Sequence, residues 1–173
     1  MSDDLTPPGP WRVDPERSTV GWSVKHLGVS TVHGTFTTFE GHLDGDRAGG
    51  SVAADSVRTD DEQRDVFVRS DEFLDAQAFP RMSFSAQAAP GDPATLDGEL
   101  TIRDTTLPLT LRVERGPATA DAVELRLRGT LRRRAYGLKF HQAMGAADRG
   151  VSDEVDLALD LVLVPAGCVS PRR

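Results

Sequence analysis

Apolar and polar residues alternate along most of this chain. Val20, Trp22 and Val24 are separated by Gly21, Ser23 and Lys25, the period of a strand with one buried face. The Asp14-Pro15 turn signal before them predicts a strand over 18–25. A second strand is expected over 31–40, with Val32, Gly34 and Phe36 on one face and a bulge at Phe39. The glycine-rich stretches 41–46 and 47–50 read as turns, and 51–57 as a third strand. Met82, Phe84 and Ala86 alternate after Pro80. Leu96, Gly98, Leu100 and Ile102 do so again, followed by Leu107, Leu109, Leu111 and Val113. The last two sets predict a hairpin over 95–114, its tip at Arg103-Asp104-Thr105. Gly116-Pro117 reads as a turn. Val123, Leu125 and Leu127 then give another strand, and Val155, Leu157, Leu159, Leu161 and Leu163 a long final one.

Two stretches break the pattern. From Thr59 to Leu74 the sequence reads as one or two short helices: Thr59 or Asp60 can cap the first, acidic residues fill its first turn, and Ser70 offers a second cap. Phe67, Phe73, Leu74 and Phe79 there need apolar cover, which the end of a sheet or barrel would give. Residues 132–152 carry no strong period but hold Tyr136, Phe140, His141 and Met144, and read as a long loop. Many strands with one helical interruption point to an all-β fold. Periodicity leaves a sandwich and a closed barrel both open.

At 173 residues the chain suits one domain with a real core. Residues 1–10 read as a flexible leader, 11–165 as the domain and 166–173 as a tail. The formal charge of −7, from 20 basic and 27 acidic side chains, disfavours a nucleic-acid surface. Arg132-Arg133-Arg134, the one basic run, reads as solvated. Cys168 is the only cysteine, so no intrachain disulfide can form. The acidic start lacks a secretory pattern, and no apolar run reaches the ~18 residues of a membrane helix. A cytoplasmic protein without stable membrane insertion is therefore expected.

Candidate chemistry is sparse. His26 and His33 flank a bend and with Glu40 or Asp44 could approach a metal, but no H-E-x-x-H pattern supports this. His26 reads better as a polar handle near a strand end. No serine sits in a G-x-S-x-G turn, and no phosphate-binding glycine loop occurs. Asp65, Asp71 and Asp75 read as solvated, and the Arg64-Asp65 pair as a structural anchor of the helical segment. No cofactor is expected, and the chain is read as a non-enzyme.

The residues quoted so far resemble the YceI-like family. The likeness runs through Trp11-Arg12-Val13-Asp14-Pro15, Val24-Lys25-His26-Leu27-Gly28, Val32-His33-Gly34-Thr35-Phe36 and Phe39-Glu40-Gly41. It continues at Arg64-Asp65, Arg69-Ser70-Asp71-Glu72-Phe73-Leu74-Asp75, Phe79-Pro80, Gly98-Glu99-Leu100-Thr101-Ile102-Arg103, Leu107-Pro108-Leu109 and Val151-Ser152-Asp153-Glu154-Val155. The chain departs from the family pattern at Asp104-Thr105-Thr106 and at Arg134-Ala135-Tyr136-Gly137-Leu138. The resemblance implies an antiparallel lipocalin-like β-barrel of about eight strands with a short helical insertion. It implies also an apolar interior holding a long-chain amphiphile such as a polyisoprenoid or an isoprenoid-quinone-like lipid. Trp22, Val24, Phe36, Phe84, Leu100, Leu109, Leu125 and Leu159 would then line the tunnel, and His26, Phe67 and Tyr136 its mouth. The competing reading of the same side chains is a dry, filled core. A second function class stays open: an enzyme or stress-response accessory acting at a polar mouth near His26. A homodimer is also left open.

Overall fold

The computed structural model describes residues 10–89, 94–139 and 150–167. Phe140, His141, Met144, Cys168 and the turn expected at 90–93 lie outside the described residues. The alternating segments form strands β1 (Trp11–Val13), β2 (Thr19–His26), β3 (Ser30–Phe36), β4 (Phe39–Asp44), β5 (Arg47–Ala53) and β6 (Val57–Arg58). After helix α1 (Glu62–Arg69) come β7 (Arg81–Gln87), β8 (Thr95–Ile102), β9 (Thr105–Ala118), β10 (Val123–Arg132) and β11 (Val151–Pro165).

These strands make eight staves. β1 and β2 both run antiparallel to β11, Trp11 opposite Pro165 and Trp22 opposite Leu157, so together they form one interrupted stave. β4 pairs with β1 and β3 with β2, forming the second. β5 and β6 form the third, joined through a 3-10 turn at Ala54–Ser56. β7, β8, β9, β10 and β11 follow in order, every pair antiparallel. Because β1 pairs with both β4 and β11, the sheet closes into a barrel. Closure leaves few unpaired edges to attract another chain. The single strand expected over 31–40 is instead two, β3 and β4, and Phe39 pairs in regular register with Val52 rather than sitting at a bulge. Ser56 holds the break between them: Thr38 N donates to its Oγ at 3.1 Å and Thr37 N to its carbonyl at 3.2 Å.

Further local expectations need correction. The stretch 41–50 is mostly strand, turning only at Gly45-Asp46. Its glycines serve close approach rather than turning. A Cβ on Gly50 would lie 2.6 Å from the Glu40 carbonyl oxygen, and one on Gly41 2.7 Å from Val13 Cγ2. Gly116-Pro117 likewise stays within β9, in a register shift where Val123 faces Ala118 but Leu125 faces Arg115. Such a bulge accommodates a proline that cannot donate to the ladder. The chain turns afterwards, where Thr119 N donates to the Ala122 carbonyl.

The helix cap is Asp61, not Thr59 or Asp60; it accepts from Gln63 N at 2.9 Å and Arg64 N at 3.1 Å. Thr59 is engaged elsewhere, its N–H and hydroxyl both donating to Asp65 Oδ1 at 2.8 and 2.6 Å. Asp65 is therefore buried and bonded, only 5% exposed, where solvation was expected. It ties the strap after β6 to the helix. Ser70 ends the helix instead of starting another, donating its hydroxyl to the Phe67 carbonyl at 2.6 Å.

Finally, Arg133 is not part of a solvated basic run. It is 1% exposed, with Nε on Ser152 O, Nη1 on Leu138 O and Nη2 on Val151 O, each at 2.9 Å. Leu127 and Leu131 share the inward phase of β10, and Arg133, the first residue after the strand, continues that phase.

Candidate functional site: an apolar lumen through the barrel

A cavity of about 1340 Å³ occupies the barrel interior. A close-packed core has few voids larger than a water, whose share of liquid volume is about 30 Å³. The filled-core reading therefore fails for this fold. The wall follows from strand phase. On β2 the even-numbered Val20, Trp22, Val24 and His26 face in, and on β3 Val32 and Phe36. β7 supplies Met82 and Phe84, β8 Leu96 and Leu100, and β9 Leu109 and Leu111. β10 and β11 complete it with Leu125, Leu127, Leu157, Leu159 and Leu161. Phe67 and Tyr136, expected at the mouth, are not among the residues that border the cavity. Phe67 meets Phe73 with ring centroids 5.8 Å apart, and Tyr136 is buried beside Leu138 in the surrounding core.

Trp22 stands on this wall. Its indole Nε1 is buried with no hydrogen-bond partner. The backbone it approaches is that of Gly34, its cross-strand partner on β3. A Cβ on Gly34 would collide with the indole ring. The ring thus lies flat against a wall position that only glycine leaves open.

One end of the lumen is roofed. Val68, on α1, and Phe73 and Leu74, just after it, border the cavity together with Val57. Polar groups gather at the ends: His26, Arg64 and Arg133 under this roof, and His42, Asp44, Asp46, Gln87 and Arg115 at the opposite end. Between them the wall is almost wholly apolar. His26 and His33 do not meet. His26 points inward and pairs with Ser30, whereas His33 lies on the outer face opposite Ser23. An odd separation along a hairpin of fixed register puts the two on opposite faces of the sheet. Glu40 also faces out, accepting from Arg81 Nη1 at 2.8 Å. Among the described residues no group of three His, Cys, Asp or Glu side chains assembles a metal site.

The model of the YceI-like domain family matches residues 11–163. The chain belongs to the YceI-like family. A YceI-like relative, a UPF0312 protein of Staphylococcus epidermidis, is 31% identical over 144 residues, covering 76% of this chain and 83% of its own. Protein YceI of Salmonella arizonae is 30% identical over 115 residues, 60% of each chain. Among solved structures, a polyisoprenoid binding domain from Saccharophagus degradans superposes with a TM-score of 0.76 at 12% identity, covering 90% of this chain and 98% of that one. Burkholderia cenocepacia BcnA gives 0.73 at 22% identity, covering 87% and 98%. At these identities the two structures share the YceI-like barrel and establish nothing about its contents.

Burial pushes the Tyr136 phenol above its ordinary value of 10.0. The folded state therefore holds the proton more tightly than the unfolded chain. Stability from this group is intact below pH 10 and is lost as pH rises through the folded pKa. Tyr136 is the only tyrosine, so tyrosinate absorbance reports it alone. The native midpoint is expected above 10 and should return to about 10 in denaturant. A native midpoint at or below 10 would contradict the buried placement.

Proposed function

We propose that this protein binds and carries a long-chain amphiphile, of the polyisoprenoid or isoprenoid-quinone-like class, with its tail along the lumen and without catalysing a reaction on it. The observation that carries this reading is the length and continuity of the apolar wall. A branched hydrocarbon tail offers no polar group to recognise, so only a sustained apolar surface can select it. Burial contributes about 0.8 kcal/mol per methylene, or roughly 4 kcal/mol per five-carbon unit before the cost of ordering the chain. A few units therefore suffice for micromolar or tighter binding. The volume also fits: pockets for ordinary small ligands run to about 1000 Å³, and this lumen exceeds that. The polyisoprenoid-binding description of the Saccharophagus degradans neighbour supports the same ligand class.

The test is to purify the protein without detergent and compare native with denaturing mass spectrometry, followed by lipid extraction. A stoichiometric hydrophobic adduct, released on denaturation, is the expected result. Should there be no adduct, and no rise in melting temperature with added long isoprenoids or quinones, the carrier reading ends. A ligand at one hundred times its Kd should add about 2.7 kcal/mol of stability, well within calorimetric reach.

A further inference from the structure

Among the described residues the exposed large apolar side chains are Leu27, Val29 and Val66, at 67, 89 and 57%. All three stand at the roofed end of the barrel. Leu27 and Val29 flank Gly28 in the three-residue tip between β2 and β3, directly after His26, which borders the lumen. Val66 lies two residues from both Arg64 and Val68, about 200° around α1 from each, so it points away from the lumen they border. Apolar side chains scattered singly over a surface carry no message, but a gathering at one end does.

The tip breaks local rules in order to present its leucine. Leu27 has φ +53° and Gly28 φ +67°. A left-handed backbone strains a bulky side chain, and Asn, Asp or Gly would relieve the strain while suiting water better. The conformation is held in place, because Leu27 N donates to the Gly150 carbonyl at 2.6 Å. The other tips among the described residues are polar: Gly45-Asp46, Arg103-Asp104 and the turn that carries Asp121.

Charge follows the same division. None of the 27 acidic side chains falls between Arg17 and Glu40, so the whole β2–β3 hairpin carries only Lys25, His26 and His33 as ionisable groups. Lys25 is exposed beside the tip. The turns at the opposite end carry Asp44, Asp46 and Asp121. An anionic surface therefore admits the first end and repels the second.

We propose that the β2–β3 tip is a peripheral docking site for an anionic lipid bilayer, with Leu27 and Val29 entering the interface and Lys25 facing the lipid phosphates. This rests on the carrier reading and deepens it, since it sets the rim of the lumen against the compartment in which a long isoprenoid dissolves. Two aliphatic side chains bury less hydrocarbon than a myristoyl chain, which itself gives only reversible attachment, so the contact is transient.

The experiment measures sedimentation with vesicles of mixed phosphatidylcholine and phosphatidylglycerol and with vesicles of phosphatidylcholine alone. Wild type is compared with the double variant Leu27→Asn, Val29→Thr and with Lys25→Gln. The double variant should bind both vesicles about tenfold more weakly than wild type. Lys25→Gln should lose about fivefold on the mixed vesicles and little on the neutral ones. Neither Leu27 nor Val29 borders the lumen, and Asn suits the left-handed position. The double variant should therefore melt no lower than wild type and bind a short isoprenoid alcohol in solution equally well. Vesicle binding that the double variant retains in full would overturn the docking site. So would a wild type that takes up the alcohol but ignores vesicles, and the carrier reading would then stand alone. Vesicle binding without uptake of the alcohol would remove the carrier reading and leave the docking site. A wild-type dimer that the double variant makes monomeric would assign the tip to a second copy of the chain and overturn the proposal.

Discussion

Arg133→Met is expected to destabilise the protein by about 3–5 kcal/mol, the largest effect of any single change considered. For a chain of this size that corresponds to a fall of roughly 6–20 °C in melting temperature. The methionine keeps the apolar stem but removes the fork. Three carbonyls, on Leu138, Val151 and Ser152, then lose a charged donor that now holds each at 2.9 Å. These carbonyls belong to the exit of the 3-10 turn Arg133–Tyr136 and the start of β11, so the side chain clasps the two ends of the long connection together. Arg132→Met, one residue earlier and exposed, is the control and should stay within about 0.5 kcal/mol. If the two variants unfold at the same denaturant concentration, Arg133 is solvated in solution and the clasp does not exist.

Arg133 also marks where a sequence pattern read too coarsely fails. Three consecutive arginines after a strand look like a surface cluster. Yet the phase of Leu127 and Leu131 already assigns the middle one to the inner face. The same phase rule separates His26 from His33, which lie close along the hairpin but on opposite faces of the sheet. Strand existence was legible because each stave buries one face and exposes the other, as Leu107, Leu109, Leu111 and Val113 show most plainly. Strand ends were less so. Gly41, Gly49 and Gly50 carry a turn signature, but their absent side chains instead let β1, β4 and β5 crowd together, a tertiary fact no local window contains. Pro117 gave a turn signature for the same reason, and a bulge accommodates it. The helix cap moved by one residue because Asp65, buried under the strap, claims Thr59. The barrel itself could not be derived from alternation, which a sandwich would share; the family resemblance supplied closure, and the double pairing of β1 with β4 and β11 shows it. An open lumen is equally invisible to periodicity, since Leu159 alternates in the same way whether it meets a neighbour or a void.

That last ambiguity has a direct experimental form. Leu159→Trp is expected to lower affinity for a long isoprenoid at least about tenfold while leaving stability within about 1 kcal/mol of wild type. β11 stands opposite β7 in the ring of eight staves, so an indole at 159 extends across the lumen toward the wall that carries Phe84. In a close-packed interior the same enlargement would force off-rotamer side chains and cost typically 1–3 kcal/mol. In a lumen of about 1340 Å³ the added atoms occupy space otherwise left to solvent or ligand, and apolar contacts are gained rather than strained. The two readouts therefore move in opposite ways for the two interiors. Weak binding with preserved stability identifies an open channel that the tail must traverse. A clear loss of stability, with binding changed only in proportion to the unfolded fraction, would mean that the barrel packs shut around Leu159, and the ligand, if any, would have to be sought at the Arg64 end alone.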